Sequence, residues 1–74
     1  MSPRTKIQLE ENRLATETKI LKSALTIFSS QGFAGASIRK IARDAGISDG
    51  LMYNYFKSKE DLALAVLKSS FQTL

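Results

Sequence analysis

The stretch that decides the fold is SIRKIARDAGISDGLMYNYF, residues 37–56. Its first half repeats apolar residues at spacings of three, four and seven positions, which is typical of one face of a helix. Those apolar positions are Ile38, Ile41, Ala42 and Ala45. Gly46 follows as a stop signal, and Ser48 can cap a second helix two residues later. So short a connection forces the helices to cross at a large angle, which predicts a helix-turn-helix unit.

The second helix of this unit, predicted over residues 49–56, has an apolar side and a polar side. At about 100° per residue, Met52 and Phe56 fall on one side and define the core face. Gly50 and Asn54 lie nearly opposite Met52, on a face that the core does not need. Exposed polar residues are also common on short surface helices, so this pattern alone is compatible with plain solvated surface. The outer face is the candidate functional surface.

Upstream, the pattern predicts one longer helix. From Thr16 to Phe28, apolar residues recur at helical spacing, and Gly32 can end that helix by taking a left-handed conformation. Ser37 then caps the next helix with its hydroxyl. Residues 1–15 are polar and weakly patterned, which predicts a flexible N-terminal arm that turns helical only toward its end.

Downstream, Ser58 and Asp61 form an S-x-x-D capping pattern at the start of a last helix. No strand pattern or internal repeat occurs in the sequence. The prediction is an all-α fold, with a three-helix, homeodomain-like helix-turn-helix bundle over residues 16–62. Residues 58–74 form the start of a fourth helix, and because that helix reaches Leu74 without a capping signal, we expect it to lead into a further C-terminal domain.

Composition excludes several classes of function. The 74 residues contain no cysteine and no histidine, so disulfides, thiolate sites and the usual zinc ligands and neutral-pH general base are absent. The acidic pairs Glu10–Glu11 and Glu60–Asp61 are helical neighbours that diverge by about 100° and cannot share a substrate atom. No glycine-rich phosphate loop occurs. We therefore expect no catalysis, no metal and no cofactor, and, without an apolar span, a cytoplasmic protein.

The charge distribution suggests a polyanionic partner. The formal net charge is +4, and +3 of it falls within residues 37–59. A basic face of this kind suits nucleic acid, although charge clusters are often only solvated surface. Asn54 on the outer face can pair twice with an adenine edge in the major groove, while tyrosine hydroxyls and lysine ammonium groups reach phosphate oxygens. The helix N-termini capped by Ser37 and Ser48 also present amides suited to phosphate.

Three features admit two interpretations each. Asp49 either stabilises the N-terminus of its own helix or accepts a hydrogen bond from a cytosine amino group. Leu51 either contacts a thymine methyl group or is buried against the fourth helix. Arg4 and Lys6 either belong to a solvated tail or enter the minor groove, as basic arms do in other DNA-binding folds.

The region from Thr18 to Leu62, about 45 residues, resembles the N-terminal DNA-binding domain of TetR/AcrR-type bacterial transcriptional regulators. The resemblance is carried by Ile27-Phe28, Gly32-Phe33, Ser37, Ile41-Ala42, the run GISDGLMYNYF at 46–56, and Ser58-Lys59-Glu60. Asp49 departs from the family pattern, because Lys, Arg or Gln often stands there. Ala36, Leu51 and Met52 also replace more frequent residues, and these departures concern which operator is read.

The resemblance implies sequence-specific binding of double-stranded DNA, with the helix at about 49–56 in the major groove. The candidate DNA-binding residues are Ser37, Arg39, Lys40, Ser48, Asp49, Gly50, Leu51, Tyr53, Asn54, Tyr55 and Lys59. It further implies a homodimer on a palindromic operator, a small-molecule effector held by a C-terminal domain outside this chain, and repression as the most common outcome. An activator of the same family, or a helical protein-interaction module, are the alternatives.

Overall fold

A computed structural model of the chain describes the backbone of residues 6–72 and the side chains of residues 12–70. Four helices and no strand occur in that part of the chain, which confirms the predicted all-α class. The helices are α1 (Lys6–Gly35), α2 (Ile38–Ala45), α3 (Asp49–Tyr55) and α4 (Lys59–Gln72).

Helix α1 starts earlier than the sequence pattern predicted. It begins at Lys6, so residues 6–15 are helical rather than part of a flexible arm, while residues 1–5 and the side chains of Arg4 and Lys6 lie outside the description. The physical reason is that KIQLEENRLA contains good helix formers and no glycine or proline, so nothing stops the helix from extending outward from its packed part. Gly32, with φ 77° and ψ 165°, breaks the helical backbone through a positive φ, but α1 continues to Gly35, three residues beyond the end that the sequence pattern predicted.

The turn between α2 and α3 is a Schellman motif. Gly46 adopts the left-handed conformation, with φ 77° and ψ 29°. The amide of Gly46 donates to the carbonyl of Arg43 at 3.1 Å, and the amide of Ile47 donates to the carbonyl of Ala42 at 3.0 Å. These two bonds satisfy the carbonyls at the end of α2, and the half-buried Ile47 side chain packs on the core beside them. The turn therefore fixes the crossing of the two helices.

The core lies where all four helices meet. Its largest fully buried side chains come one from each helix: Ile20, Ile41, Met52 and Leu62. The apolar positions of α2 that the periodicity singled out are all buried, and Ala42 is fully covered, which lets the helices approach closely. Helix α1 packs against α2 and α4, and α2 packs against α3. Within residues 12–70, this packing leaves the side of α3 that carries Gly50, Tyr53 and Asn54 exposed.

Helix α4 begins after Ser58, whose hydroxyl accepts from the amide of Asp61 at 3.1 Å, as the capping pattern predicted. Leu62 and Val66 are buried, whereas Leu67 is exposed. The side chains of Phe71 and Leu74 lie outside the described residues. Between residues 6 and 72, none of the helices is both long and apolar enough to cross a membrane.

Candidate nucleic-acid interface

The outer face of α3 is exposed, as its sequence pattern predicted. Ser48 caps the helix by accepting from the amide of Leu51 at 3.1 Å, and the buried Met52 anchors the opposite side in the core. Gly50, Tyr53 and Asn54 then project away from the core into solvent. The face thus presents a backbone without a side chain, a phenol and a carboxamide on one short helix.

Leu51 and Tyr55 flank this face and differ in exposure. Leu51 is 39% exposed, so the interpretation that it is buried against the fourth helix is wrong. Tyr55 is half-buried, and its ring packs against the core cluster rather than standing fully in solvent. The reason is its position three residues from Met52, which turns it partly toward the core side of α3.

Asp49 and Arg39 form an ion pair across the helix-turn-helix. The Nε atom of Arg39 lies 3.4 Å from an Oδ atom of Asp49, and both side chains are largely exposed. Asp49 also stands in the first turn of α3, where a carboxylate is favoured by the helix dipole. Two residues that the sequence assigned separately to DNA therefore already hold each other, one from α2 and one from α3.

Lys40 and Lys59 both bind the short segment that follows the kink at Gly32 and leads from the last turn of α1 toward α2, here called the link (residues 33–36). The Lys40 ammonium donates to the carbonyl of Gly35 at 2.9 Å and to the side-chain oxygen of Gln31 at 2.9 Å. The Lys59 ammonium donates to the carbonyls of Phe33 at 2.7 Å and Ala36 at 3.2 Å. Each lysine therefore has a structural role in addition to the DNA contact that was predicted for it.

The link is held further by aromatic contacts. The ring of Phe33 stacks on Phe28 with 5.8 Å between centroids, and the Lys59 ammonium lies 4.4 Å from the centre of the Phe33 ring. A cation over an aromatic face is attracted by the ring's negative potential. The N-terminus of α4 and the link are thus joined through one lysine side chain.

Helix α2 contributes a capped N-terminus beside these lysines. Ser37 accepts from the amide of Lys40 at 3.1 Å, which confirms its predicted capping role. Arg39 and Lys40 project from the exposed side of this helix. The structure therefore brings the predicted residues of α2 and α3 together around the turn, and it adds Lys59 from α4 through the link.

Neither the ion pair nor the lysine–carbonyl bonds could be predicted from the residue pattern. The partners of Lys59 lie 26 and 23 residues away, and a main-chain oxygen leaves no trace in residue identity. The charges of Arg39 and Asp49 were visible, but their pairing depends on the angle at which α2 and α3 cross.

The model of a known protein family matches a large part of the chain. Residues 20–66, more than half of the chain, match the model for bacterial regulatory proteins of the tetR family. The chain belongs to the TetR family. The matched residues include the helix-turn-helix and about half of α1 and of α4, and the match confirms the resemblance seen in the sequence.

Relatives of this TetR-family chain are named as transcriptional regulators. It is 40% identical over 55 residues to HbdR, an HTH-type transcriptional regulator of Aromatoleum sp. (strain CIB), covering 74% of this chain and 24% of HbdR. It is 44% identical over 52 residues to the regulator UidR of Escherichia coli (strain K12), covering 70% of this chain and 26% of UidR. The chain thus spans about a quarter of the length of these relatives.

Solved structures of the family share the fold. A mutant of the HlyIIR protein superposes with a TM-score of 0.74 at 32% identity, over 93% of this chain and 33% of that one. A tetR family transcription regulator from Shewanella sp. PV-4 gives a TM-score of 0.68 at 42% identity, over 70% of this chain and 28% of its own. Both likenesses support the helix-turn-helix bundle.

Proposed function

We propose that this chain is the DNA-reading part of a transcriptional regulator that binds a specific double-stranded operator with α3 in the major groove. The observation that carries the proposal is the outer face of α3, which is exposed although Met52 on its other side is fully buried. A helix seated so firmly on one side and free on the other is a rigid support for side chains that read a ligand.

The dimensions of α3 suit this role. An α-helix with its side chains is about 10–12 Å across, and the major groove of B-DNA is about 12 Å wide and 8.5 Å deep, so the seven residues of α3 can enter it. Asn54 offers the donor and acceptor pair that matches adenine, and Gly50, one turn earlier, has no side chain to keep the duplex away. Leu51, exposed at the edge, is suited to a thymine methyl group.

Phosphate contacts fit the residues around this helix. Tyr53 is exposed with its hydroxyl free to donate to a phosphate oxygen. Lys40 donates one ammonium proton to the link and one to Gln31, and Lys59 donates two to the link. Each ammonium group therefore has one proton left for a phosphate oxygen. These lysines would then position the link and bind the backbone at once. Base reading by Asn54 and Leu51 supplies the specificity.

The assembly and the regulatory outcome follow from the family by analogy. We propose a homodimer on a palindromic operator, a small-molecule effector bound by a further domain, and repression in the bacterial cytoplasm. The relative NicS of Pseudomonas putida, 43% identical over 53 residues, is named a transcriptional repressor. An activator would use the same α3 residues, so repression rests on that relative alone.

The test is selection of bound duplexes from a random-sequence pool, followed by Asn54→Ala. We expect recovery of a defined site, and we expect Asn54→Ala to weaken binding to that site by about tenfold, because a paired adenine contact supplies about 1–3 kcal/mol of discrimination. Binding to random duplex serves as the internal control and should change less than twofold. A protein-interaction module predicts no duplex binding even at low salt, and that result would refute the proposal.

A further inference from the structure

The side of α1 that faces the core continues toward the N-terminus past the end of the core. With Arg13 as the reference, Glu17, Ile20 and Ala24 all lie within about 40° around the helix axis at 100° per residue. Ile20 and Ala24 are fully buried, whereas Glu17 is half-buried and Arg13 is exposed. This side of α1 therefore changes from apolar to charged at the point where the core ends, while the helix continues past it.

This charged continuation faces the reading helix. A groove of about 630 Å³ lies between α1 and α3, open to solvent. Its lining consists of Arg13, Leu14 and Glu17 from α1 and of Leu51, Asn54 and Tyr55 from α3. Asn54 belongs both to this groove and to the exposed face of α3. A molecule that enters this groove can therefore meet both Asn54 and Arg13.

We propose that Arg13 is a further DNA-binding residue, which contacts the phosphodiester backbone of the same duplex that α3 reads, in the groove between α1 and α3. The inference rests on the proposed function of α3. Arg13 lies upstream of residues 20–66, the part that matches the family model, so membership of the family does not assign it this role. The contact would add one backbone position beside the reading helix.

The chemistry of the groove favours a phosphodiester over other occupants. A duplex lying along α3 places a backbone strand at the border of the major groove, so phosphate is the nearest anion to the exposed guanidinium. Arginine binds phosphate in a planar, bidentate manner, which suits a rim position. Glu17, one turn nearer the core and half-buried, repels a phosphate that goes deeper and thus limits how far the backbone enters.

The test measures binding to a fluorescent pool of random-sequence duplexes by anisotropy between 50 and 200 mM salt. Arg13→Ala should lower affinity about tenfold at 50 mM and reduce the salt slope by about 0.9, the effect of one lost phosphate contact. Lys22→Ala is the matched control, because it removes the same charge from an exposed position about 180° away on α1. It should change affinity less than twofold. Glu17→Gln should raise affinity about threefold.

The outcomes separate this inference from the function beneath it. Equal effects of Arg13→Ala and Lys22→Ala would mean that only net charge matters, and the inference would be wrong while duplex binding by α3 stood. An unchanged salt slope in Arg13→Ala would overturn it in the same way. If the unaltered chain bound no duplex at 50 mM salt, both the role of Arg13 and the proposed DNA binding by α3 would be refuted. Circular dichroism of each variant checks that the helices are intact.

Discussion

Replacing Asp49 by Asn should strengthen non-specific DNA binding and slightly weaken the fold. The pair with Arg39 has an N–O distance of 3.4 Å and side chains that are 75% and 51% exposed, so its contribution to stability is at the level of surface pairs, about 0–1 kcal/mol. Loss of a carboxylate from the first turn of α3 lowers the free energy of unfolding by a further amount of about 0.3–1 kcal/mol. We expect the free energy of unfolding to fall by about 1 kcal/mol.

The gain in DNA affinity has two sources. A carboxylate 7 Å from a phosphate is repelled by about 0.6 kcal/mol in water, and screening at 0.1 M salt halves this to about 0.3 kcal/mol. Two such phosphates give about 0.6 kcal/mol, or about threefold in affinity. Removing Asp49 also frees Arg39 for a phosphate, which raises the total to about tenfold and steepens the salt slope by up to about 0.9.

A double-mutant cycle with Arg39→Gln tests the reasoning. Affinities for a random-sequence duplex are measured by anisotropy for the unaltered chain, each single variant and the pair, between 50 and 200 mM salt. Since the second source requires Arg39, the gain from Asp49→Asn should shrink from about tenfold to about threefold when Arg39 is already Gln. An identical gain in both backgrounds would show that the ion pair does not restrain Arg39. A loss of affinity in Asp49→Asn would refute the electrostatic argument altogether.

Two further predictions concern stability, measured by urea denaturation. Lys59→Met keeps the alkyl stem but removes the bonds to the link, and should lower the free energy of unfolding by about 2 kcal/mol, whereas Lys57→Met, at an exposed position two residues earlier, should change it by less than about 0.5 kcal/mol. Equal stability of the two variants would show that the link keeps its place without Lys59. Gly46→Ala should cost about 1–2 kcal/mol through its positive φ alone, since an added Cβ meets no atom within 4 Å, while Gly50→Ala, equally unobstructed but helical, should stabilise by up to about 1 kcal/mol. The same sign for both glycines would contradict the backbone argument.

The sequence predicted the elements whose signals are local. Ser37 and Ser48 cap their helices through bonds spanning three residues, and Gly46 ends α2 by its own backbone conformation. Periodicity also identified the buried side of α2, because that helix has only one packed face. In these places the decisive contacts lie within one turn of the residue that signals them.

Other features depend on tertiary packing and were not predictable. Leu25 and Leu67 sit in apolar runs but are 51% and 55% exposed, since periodicity shows which faces could be buried and not which find a partner. Residues 6–15 lack apolar periodicity yet are helical, because propensity and continuity with a packed segment suffice. The ion pair of Arg39 and the bonds from Lys59 to the link could not be predicted, because they depend on the angles at which α2 and α4 cross their neighbours.

The attachment of the link has a consequence for how the chain can evolve. The lysine donors from α2 and α4 bind main-chain oxygens of Phe33, Gly35 and Ala36, and such oxygens persist whatever side chain is attached to them. These lysine–carbonyl bonds can therefore persist when side chains of the link change, although the Phe33 ring and the buried Ala36 side chain have contacts of their own. The bonds depend on the main chain of the link and not on the identity of its side chains. The residues whose substitution would break them are therefore the two lysines in the neighbouring helices.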